Sequence, residues 1–377
     1  MKTILYFIKK EFQQFRRDPK MFGIILFAPI IQLTFLGYAA NMDVNTVHTA
    51  LLDRNNSKES RELVDRLVGS GYFNIDYTVE TYEEAEDLID KGKVICLITI
   101  PTDFDEKINR GETAGLQAIF DGSDGNTASI SAGYVLRIVS DYSKAIAVKT
   151  LRMSGGNISL LPASINAETR NWFNPTLKTR NFMVPAIVGL LLMIITLILT
   201  SLAIVKEKEI GTMEQLIVTP IKPYQMIIGK LVPFAILGMV SVFVVITAMH
   251  VIFNISVRGS VPLLFTASFI YVLSLLGLGL FISTVSKTQQ QAMMLSIFVV
   301  MLPMTFLSGF AFPIENMPKI IQYFTYLIPL RYFLIIIRGI ILKGIGIAVL
   351  WDEILVLLLM GISILYFSSK SFRKKLN

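Results

Sequence analysis

The chain has 377 residues, of which 53% are hydrophobic and only 17% charged, and it carries a net charge of +7. A soluble chain of this length holds about a quarter of its residues as charges. Here 20 of the 28 carboxylates crowd into residues 43–180, and uncharged runs long enough to cross a hydrocarbon core of about 30 Å as a helix recur elsewhere, which excludes an ordinary soluble enzyme.

Residues 1–20 read as an amphipathic interfacial helix on the cytoplasmic side. Ile4, Leu5, Ile8, Phe12 and Phe15 lie on one side, with Lys2, Lys9, Lys10, Arg16, Arg17 and Lys20 around them. Together with Lys370, Arg373, Lys374 and Lys375 in the tail, 370–377, these cations account for the positive charge as the mark of membrane orientation rather than of nucleic-acid binding. The uncharged run 21–42 is the first span, too long for the core of a signal peptide.

Between 43 and 180 the pattern changes to short alternating and helical blocks. Strands are predicted over Val47–Leu52, Tyr72–Val79, Lys93–Ile100 and Leu116–Phe120, and helices over Lys58–Val68, Tyr82–Lys91 and Phe104–Asn109, with a longer helix from Thr127 to Arg152. Strands and helices in this alternation predict a small α/β domain. Holding 20 acidic and 15 basic residues, it is placed outside the cytoplasm. Its single cysteine, Cys96, sits in an apolar strand and reads as core, and His48 and His250 are too far apart in sequence to suggest a metal site.

The remaining spans are predicted at 182–205, 229–253, 261–285, 290–312 and 347–368, within a second membrane region of 181–369. Six spans return the basic tail to the side of the basic start. The fold class is therefore an all-α transmembrane domain of six helices with an inserted extracytoplasmic α/β domain. The segment 315–343, apolar but too short and too charged to cross in its two halves, is predicted to re-enter the membrane before the sixth helix. Arg331 and Arg338, seven apart, share a helix face there, either snorkelling to headgroups or serving substrate. Asp352 and Glu353 fall where the sixth span begins, and one of them is expected to pair with one of those arginines.

The cytoplasmic loop 206–225 reads KEKEIGTMEQLIVTPIKPYQ. Thr212 and Gln215 have the spacing of a capping box, Pro220 ends the short helix, and Met213, Leu216 and Ile217 share its apolar face. Such a helix either docks into a partner's groove or lies on the membrane. The carboxylates Glu207, Glu209 and Glu214 favour the partner, since an anionic headgroup layer repels them. No phosphate-cradling glycine loop with its lysine occurs anywhere in the sequence.

These features, with the segments IPTDFDEKINRG, FDGSDGNTA, NPTLKTRNFMVPAIVG, SGFAFPIENMP and LRYFLIIIRGIILKG in their order, make the chain resemble the permease subunits of type 2 ABC exporters, in the branch with a large insert between the first two spans. The resemblance covers essentially the whole chain. It implies a non-enzymatic transport subunit of the bacterial inner membrane, with ATP and Mg bound by a separate nucleotide-binding subunit and with no cofactor of its own. It also implies a dimer with itself or a paralogue, contact with lipids and with a periplasmic adaptor, and amphipathic, drug-like or lipid-like cargo. Glu207, Glu209, Gly211, Thr212, Met213, Glu214, Leu216 and Pro220 then map to the loop that couples to the ATPase, and Arg331, Arg338, Asp352 and Glu353 to the outer gate. The competing reading is a membrane receptor or scaffold that uses its outer domain for recognition, which would need no docking helix in the loop.

Overall fold

A computed structural model describes residues 2–17, 19–40, 43–44, 46–153, 172–175, 178–211 and 223–374. The chain divides into two compact units, one of residues 42–169 and the other of 1–41 together with 170–377. Helices α1 (Lys2–Arg17) and α2 (Pro19–Ala39) begin the second of these.

The smaller unit runs β1 (Val47–Asp53), α3 (Lys58–Gly69), β2 (Phe73–Thr78), α4 (Tyr82–Asp90), β3 (Cys96–Ile100), α5 (Phe104–Arg110), β4 (Gln117–Phe120) and α6 (Gly125–Met153). The sheet order is β2-β1-β3-β4, parallel except for the β3–β4 pair. All five residues of β3 are buried, as a near-continuous apolar run, with Thr99 its one polar member, requires in a sheet covered on both faces. Two apolar layers result. Val47, Leu63, Leu67, Cys96, Ile98 and Phe104 fill one, and Ala50, Leu52, Ala85 and Leu97 the other. Local signals set the helix ends: the Ser57 hydroxyl accepts from the Ser60 N–H at 3.0 Å, the Thr81 hydroxyl accepts from the Glu84 N–H at 3.3 Å, and Gly111 closes α5 at φ +72°.

In the larger unit the helices are α7 (Thr179–Glu209), α8 (Pro223–Phe253), α9 (Val261–Val285), α10 (Gln289–Leu295), α11 (Leu302–Leu307), α12 (Lys319–Thr325), α13 (Pro329–Arg338) and α14 (Ile347–Lys374). Among the described residues five helices are long and apolar enough to cross a membrane, or six if the bent pair of α12 with Pro329–Lys343 is one span. In α2, where the first span was expected at 21–42, the apolar stretch Ile25–Ala39 is shorter than those five. The protein is thus a mostly helical membrane protein carrying a small mixed α/β domain.

The span predicted at 290–312 is shorter, a continuous helix over Gln289–Leu307 with a π-helical stretch inside it. That stretch, Ser296–Met301, joins α10 to α11, which ends at Leu307. The segment before the last helix is bent rather than spanning in one line, and α12 meets the next limb at 80°.

Residue α13 Phe333 holds this limb in the bundle by stacking on Tyr271 of α9, with centroids 4.2 Å apart and planes within 6°. The Tyr271 hydroxyl donates to the Gly189 carbonyl of α7 at 3.3 Å. A Cβ at Gly189 would lie 3.1 Å from the Phe333 ring, so the three helices meet because position 189 has no side chain. Gly189→Leu is expected to push α13 out and to cost about 1–3 kcal/mol. A lowered Tm of the detergent-solubilised chain, followed through Trp351 fluorescence, is the expected result, and an unchanged Tm would contradict this packing.

Candidate functional site

The sequence pointed to the end of α7, and there the helix finishes in four alternating charges, Lys206, Glu207, Lys208 and Glu209, before Gly211 turns the chain at φ +79°. The following residues 212–222 lie outside those described, so the predicted docking helix with Thr212, Met213, Glu214, Leu216 and Pro220 does too.

The Glu207 side chain is turned inward and is only 14% exposed. One of its oxygens accepts from Lys10 of α1 at 3.0 Å, and the other from Lys230 of α8. Lys230 is itself 3% exposed. A cation so buried is tolerated only with a partner of opposite charge, and Glu207 is that partner. Beneath the charges Phe7, Ile204, Met226, Ile227, Leu280 and Phe372 form a small apolar cluster. Position 229 must be glycine for α1 to lie on α8, because a Cβ there would stand 2.6 Å from that of Phe7.

Neighbouring charges respond to this arrangement. Burial works against the Lys10 ammonium, but the carboxylates of Glu207 and Glu11 together more than offset it and hold the lysine above its ordinary value. For Glu11, on the same turn of α1, burial raises the carboxyl, with Lys230 opposing.

The two last charges of α7 reach the other way. Lys208 donates to the carbonyls of Ser283 at 2.7 Å and Ser286 at 3.2 Å, meeting the end of α9 with a cation where the helix dipole is negative. Glu209 accepts from the backbone N–H of Gln289 at 3.2 Å and from its side chain at 2.8 Å, at the positive start of α10. One helical turn is therefore bonded to α1, α8, α9 and α10.

Lys208, Lys230 and Gln289 were not singled out from the sequence, and Lys10 was read only as one of the orienting cations of the first helix. Lys230 did carry a signal: it is a lone charge inside the run predicted to span at 229–253, and such a charge needs a partner.

At the bent pair the expected ion pairing does not form. Arg331 donates to the Thr325 hydroxyl and lies over the Tyr326 ring at 3.9 Å. Arg338 lies over the Phe182 ring at 3.7 Å and donates to the Gly309 carbonyl at 3.4 Å. Among the described residues no ion pair joins either arginine to Asp352 or Glu353. Instead Asp352 accepts from the Glu353 N–H at 3.0 Å. Ring faces supply what the carboxylates were expected to supply, since a guanidinium on an aromatic face is stabilised by the ring quadrupole.

A further arginine, missed from the sequence, fastens this region: Arg258 donates to the Leu342 carbonyl at 3.2 Å, and the Gly259 N–H to that of Ile340 at 3.0 Å.

Residues 19–370 match a family described as ABC-2 family transporter protein. The chain is 33% identical over 370 residues to the "Probable multidrug ABC transporter permease YbhR" of Escherichia coli, covering 98% of this chain and 97% of that one. It is 34% identical over 339 residues to the "Probable multidrug ABC transporter permease YbhS" of the same organism, covering 89% and 87%. With the E. coli "Inner membrane transport permease YhhJ" it shares 26% identity over 369 residues, 97% of this chain and 95% of that one.

Proposed function

Since the chain belongs to the ABC-2 family of transporter proteins, we propose that it is the membrane half of an inner-membrane exporter that moves amphipathic, drug-like or lipid-like compounds outward. As an ABC transporter permease subunit it has no ATPase activity of its own, and its family implies an ATPase partner. In this reading that partner binds ATP and Mg and docks on the loop 206–225. The permease works as a dimer with itself or a paralogue, and a periplasmic adaptor receives the cargo.

The observation that carries this reading is the last turn of α7, bonded to four other helices at once. A force applied to the loop that follows reaches α1, α8, α9 and α10 together, which is the mechanical property a coupling element needs. Glu207 acts within it as an internal tie. Met213 and Leu216 provide the apolar contact with the ATPase, and Glu214 sits at its rim. At the opposite side the bent pair forms the outer gate, anchored by Arg331 and Arg338, with Asp352 and Glu353 marking the start of the last span.

The names of the relatives, two of them probable multidrug permeases and one an inner membrane transport permease, support the cargo class and the location. The basic ends of the chain support an orientation with both termini cytoplasmic and the α/β domain outside.

Two experiments test this reading. In a Cys96→Ala background, Asn56→Cys and Gly125→Cys should react with an impermeant maleimide in cells with a permeabilised outer membrane, whereas Lys374→Cys should not. The opposite labelling pattern would reverse the orientation. Affinity purification of the full chain from its own cells in mild detergent should also bring down a nucleotide-binding subunit, and its consistent absence would speak for a receptor.

A further inference from the structure

The α/β unit contains a pocket that the transport reading does not use. Its sheet is short where α6 is long: β4 has four residues and α5 seven, against 29 in α6. The gap left between them is a pocket of about 800 Å³.

The floor of the pocket is part of the domain core, with Leu63, Phe104, Val135 and Tyr142 each no more than 4% exposed. Its walls are half-buried apolar side chains, Ile108 from α5, Leu116 and Phe120 around β4, and Val139 and Ile146 from α6. At the mouth Leu136 is 71% exposed.

Polar groups are confined to the rim. The Tyr142 hydroxyl is already committed, donating to the Glu59 carbonyl at 2.9 Å, so this residue offers the pocket only its ring. Glu112 is the one carboxylate in the lining. The lysine near it, Lys107, is ion-paired with Asp103 at 2.7 Å and feels the Glu112 charge only at longer range.

An apolar hollow of this size, with few polar groups and those at its edge, has the form of a small-molecule site. From it we infer that the α/β domain binds small amphipathic cations, with a flat apolar body against Phe104, Phe120 and Val139 and the positive group at the mouth, facing Glu112. That such a ligand is also cargo rests on the export reading; the binding itself does not.

The test uses the full chain in lipid nanodiscs, without ATP or an ATPase. Ser143, exposed on the pocket rim, is changed to cysteine and its alkylation by a maleimide is timed. The native Cys96 does not interfere, because it is fully buried and burial pushes its thiol up to about 12. Ethidium, a planar lipophilic cation, should slow alkylation about tenfold when present at about ten times its dissociation constant. Phenanthridine, its uncharged parent ring, should protect more weakly. Glu112→Gln should weaken ethidium about fivefold, the scale of a rim ion pair, and leave phenanthridine unchanged.

Because the readout is local to the rim, dye dissolved in the lipid does not register. Val139→Lys, which sets a cation in the wall, should abolish protection; Glu112→Gln, on the surface, is the variant that keeps the test valid if the former misfolds. Absence of protection by saturating ethidium would overturn the inference. So would a thiol already shielded without dye, which would mean that a second copy or a polypeptide fills the groove, or an ethidium affinity unmoved by Glu112→Gln. Export that persists without protection would overturn only the pocket, and protection without export only the transport reading.

Discussion

Glu207→Gln is expected to destabilise the helical unit by about 3 kcal/mol, the low end of the loss seen when one partner of a buried ion pair is removed. The reason is Lys230, which is 3% exposed and would keep its charge without the carboxylate that now faces it. Glu11 lies close enough to Lys230 to feel its charge and limits the loss. Lys10 adds little, because its side chain is 39% exposed and solvent screens it. Removing both charges, Glu207→Gln with Lys230→Met, should recover most of the stability, since an apolar pair of similar volume replaces a buried ion pair at little cost. Thermal unfolding of the wild type, Glu207→Gln, Lys230→Met and the double variant in one detergent gives the coupling directly. A single Glu207→Gln variant as stable as the wild type would mean that the tie between α1, α7 and α8 is incidental.

A second large effect is expected in the loop. Met213→Asp together with Leu216→Asp should abolish association with the ATPase, because two unpaired charges in an apolar contact cost several kcal/mol. Insertion and folding should survive, since the loop lies outside the apolar spans. Glu214→Lys should act more mildly and chiefly on the rate of association, as rim charges do. Glu209 is a poor choice for that comparison, because its carboxylate already holds Gln289. Association measured by pull-down and ATPase stimulation should fail in the double variant while its yield and gel-filtration profile stay normal. Undiminished association would remove Met213 and Leu216 from the docking contact.

Much of the fold could be read directly from the sequence, because its causes are local. The strand predicted at Lys93–Ile100 and the span predicted at 261–285 are mostly apolar, uncharged past Lys93; the strand forms over its last five residues, Cys96–Ile100, and the span over Val261–Val285 with Ser260 capping it. The π-helical stretch at Ser296–Met301 had no such sign: no proline or glycine lies within it, and the buried Ser201 and Ser296 hydroxyls that meet there at 3.2 Å are 95 residues apart in the chain.

The same limit applied to the charges. Spacing located the acidic turn at Glu207 and Glu209, yet not that Glu207 faces Lys10 and Lys230, since those partners are 197 and 23 residues away. At the bent pair, opposite charge was the obvious guess for Arg331 and Arg338. The ring contacts were not expected, because Tyr326 near an outer boundary reads first as part of an interfacial belt, and Phe182 in an apolar run as packing.

The most direct measurement is transport itself. The chain is reconstituted in liposomes with the nucleotide-binding subunit that purifies with it, and ethidium movement is followed after ATP is added to the side bearing that subunit. ATP-dependent movement of the dye away from that side, lost with Met213→Asp and Leu216→Asp, is the predicted result. If the complex hydrolyses ATP while ethidium and lipid-like dyes stay where they were, the chain is not an exporter of amphipathic compounds.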